Sequence, residues 1–352
     1  MTSDLHDRLR LIGFSNLVGQ ALAQLPATGH AMRVLEVHRD GAVVHDGADE
    51  RRAHLMPTLA RELAAHGDQL AVGDWVLVNV DVNGGLWAAA RMAPLNQLVR
   101  RTSDGARQCL VSNVDTSLLV MGLDGDFNLR RLERYLTLVK SAHVWPVVVL
   151  TKRDLAGNGD ARCDDARRRI PADVPIHALD ARLPSVALEL AAYIGTGQTL
   201  VLLGSSGAGK STLTNSLLGR MEQATGAVRN DDSRGRHTTT ARSLHLLPGG
   251  ACVIDTPGLR GLRADTDETG LNASFADIVE LAEQCRFRDC QHGGEPGCAV
   301  RAQVDADRLT NFHKMRREIR RETMTLLDRR KQLAEWKARG RAAEQRMKMK
   351  RG

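Results

Sequence analysis

Aromatic side chains are scarce: Phe, Trp and Tyr supply 3% of the 352 residues. That is too few to line a groove in which successive bases of single-stranded nucleic acid stack. No run of about 18 apolar residues occurs, which argues against a membrane-spanning helix. The first residues, Met1-Thr2-Ser3-Asp4-Leu5-His6-Asp7-Arg8, lack a basic region running into an apolar stretch, so no secretory leader is expected. Six cysteines cannot make a disulfide scaffold in a chain this long, and three of them crowd into one segment with a histidine, the pattern of a metal site in a reducing compartment. Internal repeats and low-complexity linkers are missing too. The expectation is a soluble cytoplasmic monomer of two or three domains, with enough chain for a sizeable core. Lys and Arg total 49 against 42 Asp and Glu, a formal charge of +7 that leans mildly toward an anionic partner.

The apolar patterning divides the chain. Residues 1–30 carry Leu9, Ile12, Leu17, Leu22 and Leu25 at helical spacing and stop at Pro26 and Gly29, which predicts a short helical extension. Over 31–98, short apolar runs (Met32 to Val37, Ala42 to His45, Trp75 to Val80, Leu86 to Arg91) alternate with Asp40-Gly41, Asp46-Gly47, Gly73-Asp74 and Asn83-Gly84-Gly85. That rhythm predicts a small antiparallel barrel, an OB-fold by length, with an SH3-like barrel as the alternative. Over 99–270, apolar strands (Ser117 to Gly122, Val144 to Leu150, Thr199 to Leu203, Ala251 to Ile254) alternate with helical stretches at 130–140 and 211–218, as a parallel α/β sheet requires. Residues 271–352 begin with a short helical region, pass through the Cys/His cluster and end in a long polar segment.

Gly204-Ser205-Ser206-Gly207-Ala208-Gly209-Lys210-Ser211 fits the phosphate-loop pattern G-x-x-x-x-G-K-[ST] in full, between a predicted strand and a predicted helix. Its glycines let backbone N–H groups wrap the β-phosphate while the helix N-terminus adds its positive dipole. Thr212 extends that N-terminus. Lys210 is placed to neutralise β- and γ-phosphates, and the Ser211 hydroxyl to ligate Mg²⁺. Downstream, Asp255-Thr256-Pro257-Gly258 follows an apolar strand; alone it could be a turn. After a phosphate loop it puts Asp255 toward Mg²⁺ and the Gly258 N–H toward the γ-phosphate. Between them, Gly235-Arg236-His237-Thr238-Thr239-Thr240 reads as a switch loop whose threonine completes Mg²⁺ coordination.

Thr151-Lys152-Arg153-Asp154 ends the strand Val144 to Leu150 and is a variant of N-K-x-D. The Asp154 carboxylate suits the N1–H and 2-amino donors of guanine, and the Lys152 stem can lie against the base. Some 25 residues on, the N–H of Ala178 could meet guanine O6. The guanine motif precedes the phosphate loop, the reverse of the ordinary order, so a circularly permuted GTPase is expected, its new ends cut at the surface.

Cys285, Cys290, His292 and Cys298 give C-x4-C-x-H-x5-C, a donor set that fills a tetrahedral shell and so predicts one structural Zn²⁺. Cys109, Cys163 and Cys252 stand apart and read as single core or surface thiols. Beyond Cys298 the sequence is rich in Arg and Lys. A solvated helix face is the ordinary meaning of such runs; beside a zinc knuckle and a barrel, contact with the backbone of structured RNA is the better reading.

Taken together, the chain resembles the ribosome-small-subunit-dependent GTPase A family (RsgA). The resemblance covers about 31–320 and is carried by Val72-Gly73-Asp74-Trp75-Val76, Asn113-Val114-Asp115, Thr151 to Asp154, Gly204 to Ser211, Gly235 to Thr240, Asp255 to Gly258 and Cys285 to Cys298 with Ala299-Val300. It implies OB-fold, permuted GTPase and zinc-knuckle domains, and an enzyme that binds the small ribosomal subunit and its rRNA late in assembly, hydrolyses GTP to GDP there and leaves. It also points to Thr239 as the magnesium ligand and His237 as the catalytic side chain. Thr151 departs from the more usual Asn, which implies a modestly weaker turn around the base, and residues 1–30 have no counterpart in the resemblance. A GTPase serving another RNA or a translation stress pathway, and an RNA-binding protein holding its nucleotide statically, are the competing readings.

Overall fold

The computed structural model describes residues 3–102, 106–155, 157–219, 242–256 and 263–323. Two compact units divide between Glu283 and Gln284.

The first unit opens with helices α1 (Ser3–Leu11) and α2 (Asn16–Ala23). Ser15 caps α2 by accepting from Val18 N, which satisfies one orphan N–H of the first turn. This pair is more than an appended extension. Leu9, Ile12, Phe14, Val18 and Leu22 share one core with Trp75 and Leu77 of the barrel and Cys252 and Ile254 of the main sheet. The join is made by Arg33, 1% exposed. It donates to Ile12 O, to Asn113 O at 2.9 Å and to Thr199 Oγ1 at 2.8 Å, with its guanidinium 5.7 Å from the Trp75 ring.

The barrel is built from β1 (His30–His38), β2 (Gly41–His45), β3 (Glu50–Leu55), helix α3 (Pro57–Ala65), β4 (Trp75–Val80) and β5 (Leu86–Arg91). It closes in the order β1-β2-β3-β5-β4, with β1 pairing antiparallel to β4 and β3 parallel to β5. Five strands closed this way, with a helix between the third and fourth, make an OB-type barrel. Its interior is Met32, Val34, Ala42, Val44, Ala53, Val76, Val78, Leu86 and Ala88, plugged by Leu59 and Leu63 of α3. Sequence patterning misses β3 because of its inward positions only Ala53 is buried.

A hairpin, β6 (Gln97–Arg101) and β7 (Arg107–Ser112), links barrel to main sheet. Then come β8 (Thr116–Gly122), α4 (Leu129–Ser141), β9 (Trp145–Thr151), α5 (Gly159–Arg169), β10 (Ile176–Ala178), α6 (Val186–Glu189), β11 (Thr199–Leu203), α7 (Lys210–Leu218), β12 (Ser243–Leu246) and β13 (Cys252–Asp255). The sheet order is β10-β9-β8-β11-β13-β12. Every pairing is parallel except β12 with β13. The strands are apolar almost throughout because both faces are covered. Leu118, Val120, Val147, Val149, Leu200 and Leu202 point to one core, with Leu213 and Leu217 of α7. Their neighbours Leu119, Met121, Val148, Leu150, Val201 and Leu203 point to the other, with Leu132, Leu136 and Val139 of α4. The unit finishes with β14 (Arg263–Ala264), which pairs with β6, and helices α8 (Glu268–Ser274) and α9 (Ala276–Ala282).

The second unit holds the Cys/His segment, α10 (Ala299–Gln303) and α11 (Ala306–Thr323). Leu309, Phe312, Met315 and Ile319 of α11 are buried at helical spacing, while Lys314, Arg317 and Arg320 are exposed. Most of the basic C-terminal stretch, from 324 on, lies outside the described residues. Among the described residues no helix is long and apolar enough to cross a membrane.

Candidate nucleotide and metal sites

Parallel α/β sheets present ligands at the carboxyl ends of their strands, beside the point where the strand order reverses. Here that edge carries the ends of β9, β10, β8, β11 and β13, and those of the sequence-predicted nucleotide residues that are described converge on it from segments far apart in the chain. The permutation is therefore compatible with one edge that carries both the phosphate loop and Thr151 to Asp154. β9, β10 and β11 end in the same direction whichever is made first.

The phosphate loop leaves β11 at Gly204, where any Cβ would sit 2.4 Å from the Val120 carbonyl oxygen, so only glycine lets the loop cross β8 this closely. Gly207 and Gly209 take φ of 81° and 97°, conformations glycine adopts without strain, and Gly209 opens α7. Lys210 is buried and folds back over its own loop, donating to Gly204 O at 3.1 Å and Ser205 O at 2.9 Å. Burial pushes its pKa down, opposed by the carboxylates of Asp255 and Asp126. An ammonium held in this cage can exchange carbonyl partners for phosphate oxygens. Ser206, Ala208, Ser211 and Thr212 complete the turn and the first residues of α7 as the sequence placed them.

Asp255 closes β13 and is 5% exposed. Its Oδ1 has no hydrogen-bond partner among the described residues, and burial raises its pKa against the pull of Lys210. A buried carboxylate oxygen left without a donor is costly, and it fits a divalent cation held between Asp255 and the phosphate loop. Thr256 beside it donates to Leu202 O at 2.6 Å, fixing the strand end. His237, Thr239 and Gly258 lie outside the described residues.

On the base side, Thr151 is fully buried; its Oγ1 donates to Ala208 O of the phosphate loop at 2.6 Å and lies 3.5 Å from Met121 O. Lys152 adopts a left-handed φ of 59° and pairs through Nζ with Asp124 at 2.7 Å. Asp154 pairs with Arg182 at 2.6 Å. Ala178 ends β10 in register with Leu150, one residue before Thr151, so the two base-side segments lie on adjacent strands.

Three residues of this edge escape the sequence reading. Asp124 and Asp126 lie in the loop after β8: the first holds Lys152, and the second accepts from Ser205 Oγ of the phosphate loop and is ion-paired with Arg131 at 2.8 Å. Burial works to raise the Asp124 pKa, but the Lys152 ammonium and the Asp126 N–H outweigh it and hold it below the usual range. The Asp-Gly-Asp turn following an apolar strand is the signal that could have found them. Arg182, four residues after Ala178, has no sequence signal of its own.

In the second unit, the ligand atoms of Cys285, Cys290, His292 and Cys298 all lie within 4.8 Å of one another. Cys285 Sγ is 3.9 Å from Cys298 Sγ and 3.7 Å from His292 Nδ1, which is 3.5 Å from Cys298 Sγ. A zinc ion at the usual ~2.3 Å from sulfur and ~2.0–2.1 Å from nitrogen spans tetrahedral edges of about this size. Three thiols, one imidazole nitrogen and a closed geometry fit a structural zinc. Glu295 organises the same loop by accepting from the N–H groups of Gln291, Gly293 and Gly294 at 3.0, 2.8 and 3.0 Å. Those backbone donors hold its carboxyl down to about 2. Cys109, Cys163 and Cys252 are free and buried.

Comparison with known proteins agrees with this geometry. A profile of the RsgA GTPase family matches residues 92–265. The small ribosomal subunit biogenesis GTPase RsgA of Xanthomonas oryzae pv. oryzae is 44% identical over 296 residues, which cover 82% of this chain and 80% of that protein. The protein of that name from Xylella fastidiosa (strain M23) is 44% identical over 309 residues, 85% of this chain and 91% of its own. Among solved structures, YjeQ from Thermotoga maritima superposes with a TM-score of 0.60 at 23% identity, covering 82% of this chain and 98% of that one. YloQ, described as a circularly permuted GTPase, does so with a TM-score of 0.57 at 21% identity, covering 86% and 98%. The two structures share the fold; the identity to the curated relatives, sustained over four fifths or more of their length, carries the family, and the chain belongs to the RsgA GTPases.

Proposed function

We propose that this chain hydrolyses GTP to GDP and phosphate while docked on the small ribosomal subunit during late maturation of that particle, and that docking activates it. The observation that carries the reading is the bond from Thr151 to Ala208: it ties a base-reading motif to a complete phosphate loop across a permuted sheet. The curated relatives, named small ribosomal subunit biogenesis GTPases, supply the partner.

In this reading the backbone of Gly204 to Gly209, with Ser211 and Thr212, cradles the phosphates, and Lys210 leaves its carbonyl cage to neutralise them. Ser211, Asp255 and Thr239 hold Mg²⁺, which when bound offsets charge on the phosphate oxygens. Gly258 meets the γ-phosphate. Asp154, Lys152, Thr151 and the Ala178 N–H read guanine. Leu259 follows D-x-P-G where many GTPases carry a glutamine, so intrinsic turnover is slow, and His237 orients the attacking water once RNA contact orders its loop. Residues 1–30, 31–98 and 99–270 act as N-terminal helices, OB barrel and permuted GTPase; of 271–352, the part up to Glu283 goes with the first unit and the rest acts as zinc module with a basic tail. The chain works as a cytoplasmic monomer whose barrel, zinc module and tail grip the rRNA backbone.

Single-turnover hydrolysis of GTP with and without purified small subunits tests the proposal. Stimulation of roughly 10³-fold or more is expected, the range seen when partners activate other GTPases. Equal rates with and without subunits would refute activation by docking, and no hydrolysis in either case would make the nucleotide a static ligand.

A further inference from the structure

The loop after β10 places an arginine against the residue that reads the base. Arg182 is clamped by Asp180 in a two-pronged contact, Nε to Oδ1 at 2.9 Å and one terminal nitrogen to Oδ2 at 2.7 Å, while its own backbone N–H donates to Asp180 Oδ1 at 3.0 Å. The same terminal nitrogen reaches Asp154 Oδ2 at 2.6 Å. The clamp stands on a fixed base. Leu179 N donates to Leu150 O at 2.9 Å, and Ser216 Oγ of α7 donates to Ala181 O at 2.6 Å, so the loop is pinned to β9 on one side and to the phosphate-loop helix on the other. Arg182 is 62% exposed at its side chain and Asp154 31%, whereas Asp180 is 17% exposed.

We propose that Arg182 is a positioning residue for base recognition: anchored on Asp180, it braces the Asp154 carboxylate in the orientation that guanine uses. The inference rests on the assignment of Asp154 as the guanine reader. Its chemistry is that of two hydrogen bonds against one. A carboxylate has about four lone-pair sites, so Oδ2 can accept from Arg182 and still accept from a base. Guanine offers two donors, N1–H and the 2-amino group, and satisfying both requires one fixed plane of the carboxylate. Hypoxanthine offers only N1–H, which a freely rotating carboxylate can meet in many orientations. Bracing therefore benefits guanine more than hypoxanthine. A guanidinium does this better than an ammonium because its planar fork holds two carboxylates at once.

The test measures GDP and IDP affinities of the full-length chain by equilibrium titration for the wild type, Arg182→Ala, Arg182→Lys, Asp180→Asn and Asp154→Ala. Arg182→Ala is expected to weaken GDP about two- to fivefold, the range of a largely exposed ion pair, and to leave IDP nearly unchanged, so that the GDP-to-IDP preference narrows. Asp180→Asn should narrow it in the same direction by releasing the clamp, and Arg182→Lys should restore part of it. A general loosening of the loop would instead weaken both nucleotides equally. If GDP binds Arg182→Ala as well as or better than wild type, while Asp154→Ala still erases the preference, the brace is wrong and guanine reading stands. If Asp154→Ala keeps the wild-type preference, the assignment beneath the inference fails.

Discussion

The Thr151 hydroxyl donates to the Ala208 carbonyl at 2.6 Å, so the residue that replaces the usual asparagine of the base motif still clasps the phosphate loop. It does so from full burial, and Gly209 beside it is close-packed: a Cβ there would lie 3.2 Å from Thr151 Oγ1. The resemblance implies a modestly weaker turn at this position; the bond ties the end of β9 directly to the phosphate loop.

Thr151→Val keeps the shape and removes the donor, leaving the Ala208 carbonyl without it. An orphaned buried acceptor costs about 1–3 kcal/mol. GDP affinity should therefore fall about tenfold, with a lower Tm. Nucleotide affinity equal to wild type would show that the loop keeps its form without the clasp.

Asp74 gives a pH signature. It is fully buried, and burial raises its carboxyl from 3.8 to about 6, opposed by Arg91 and by the hydroxyl of Ser112. Between those values Asp74 binds more protons in the folded state than in the unfolded one, so its contribution to stability falls as pH rises from about 4 to about 6, by up to about 3 kcal/mol. Because burial also raises Asp115 and Asp255 while ion pairs lower Asp68 and Asp124, the signature is a difference: denaturant melts should show the stability of wild type relative to Asp74→Asn falling across that window. A stability difference that stays constant across the window would clear Asp74 of responsibility.

His237→Ala should leave GTP affinity and subunit binding near wild type while cutting the stimulated rate by roughly 10²-fold or more, the range expected for a side chain that handles the reacting water. A variant that binds normally and turns over at the wild-type stimulated rate would move water positioning to the ribosome or to backbone groups.

One zinc per chain should be found in the native protein, and chelation or Cys285→Ser should make the second unit sensitive to protease, since metal binding in such knuckles is folding free energy. GDP titration by the first unit should survive. Metal analysis without zinc would refute the donor set.

The N-terminal helices are expected to be indispensable for stability. Leu9→Ala opens a cavity in the shared core and should cost about 2–5 kcal/mol. Arg33→Ala strips the Ile12 and Asn113 carbonyls and the Thr199 hydroxyl of a donor and should cost about 3 kcal/mol or more. Chemical denaturation that leaves both variants within error of wild type would return residues 1–30 to the status of an appendage.

Strands and motifs whose signal is local were legible in the sequence. Thr199–Leu203, Trp75–Val80 and Leu86–Arg91 were read to the residue because each is an apolar run bounded by turn residues. The glycine-rich turn from Gly204 to Ser211 and the cluster of Cys285, Cys290, His292 and Cys298 were legible because their spacing is their geometry. Strand β14 was not, since two residues, Arg263 and Ala264, become a strand only by pairing with Arg101 and Arg100. Arg182 was equally silent, as a lone charged residue has no pattern until the fold chooses its partner, whereas Asp124 and Asp126 left only the faint mark of an Asp-Gly-Asp turn after an apolar strand. The N-terminal helices showed their period but not their destination: Leu9 and Ile12 reach a core whose other members lie up to some 240 residues away, at Cys252 and Ile254.

The order of strands also sets a schedule for synthesis. In β10-β9-β8-β11-β13-β12 the half that carries Thr151 to Asp154 is translated first, and its inner edge is β8, whose Thr116–Gly122 is buried at every position in the finished sheet. The partner strand β11 is made only after some 75 further residues, roughly 4 to 15 s at 5–20 residues per second. For that interval an apolar edge, without the charge or proline that usually guards one, waits on the nascent chain. In the unpermuted order the phosphate-loop strand would already be present when β8 emerged, so the rearrangement brings an exposed edge during translation and a corresponding need for shielding until β11 arrives.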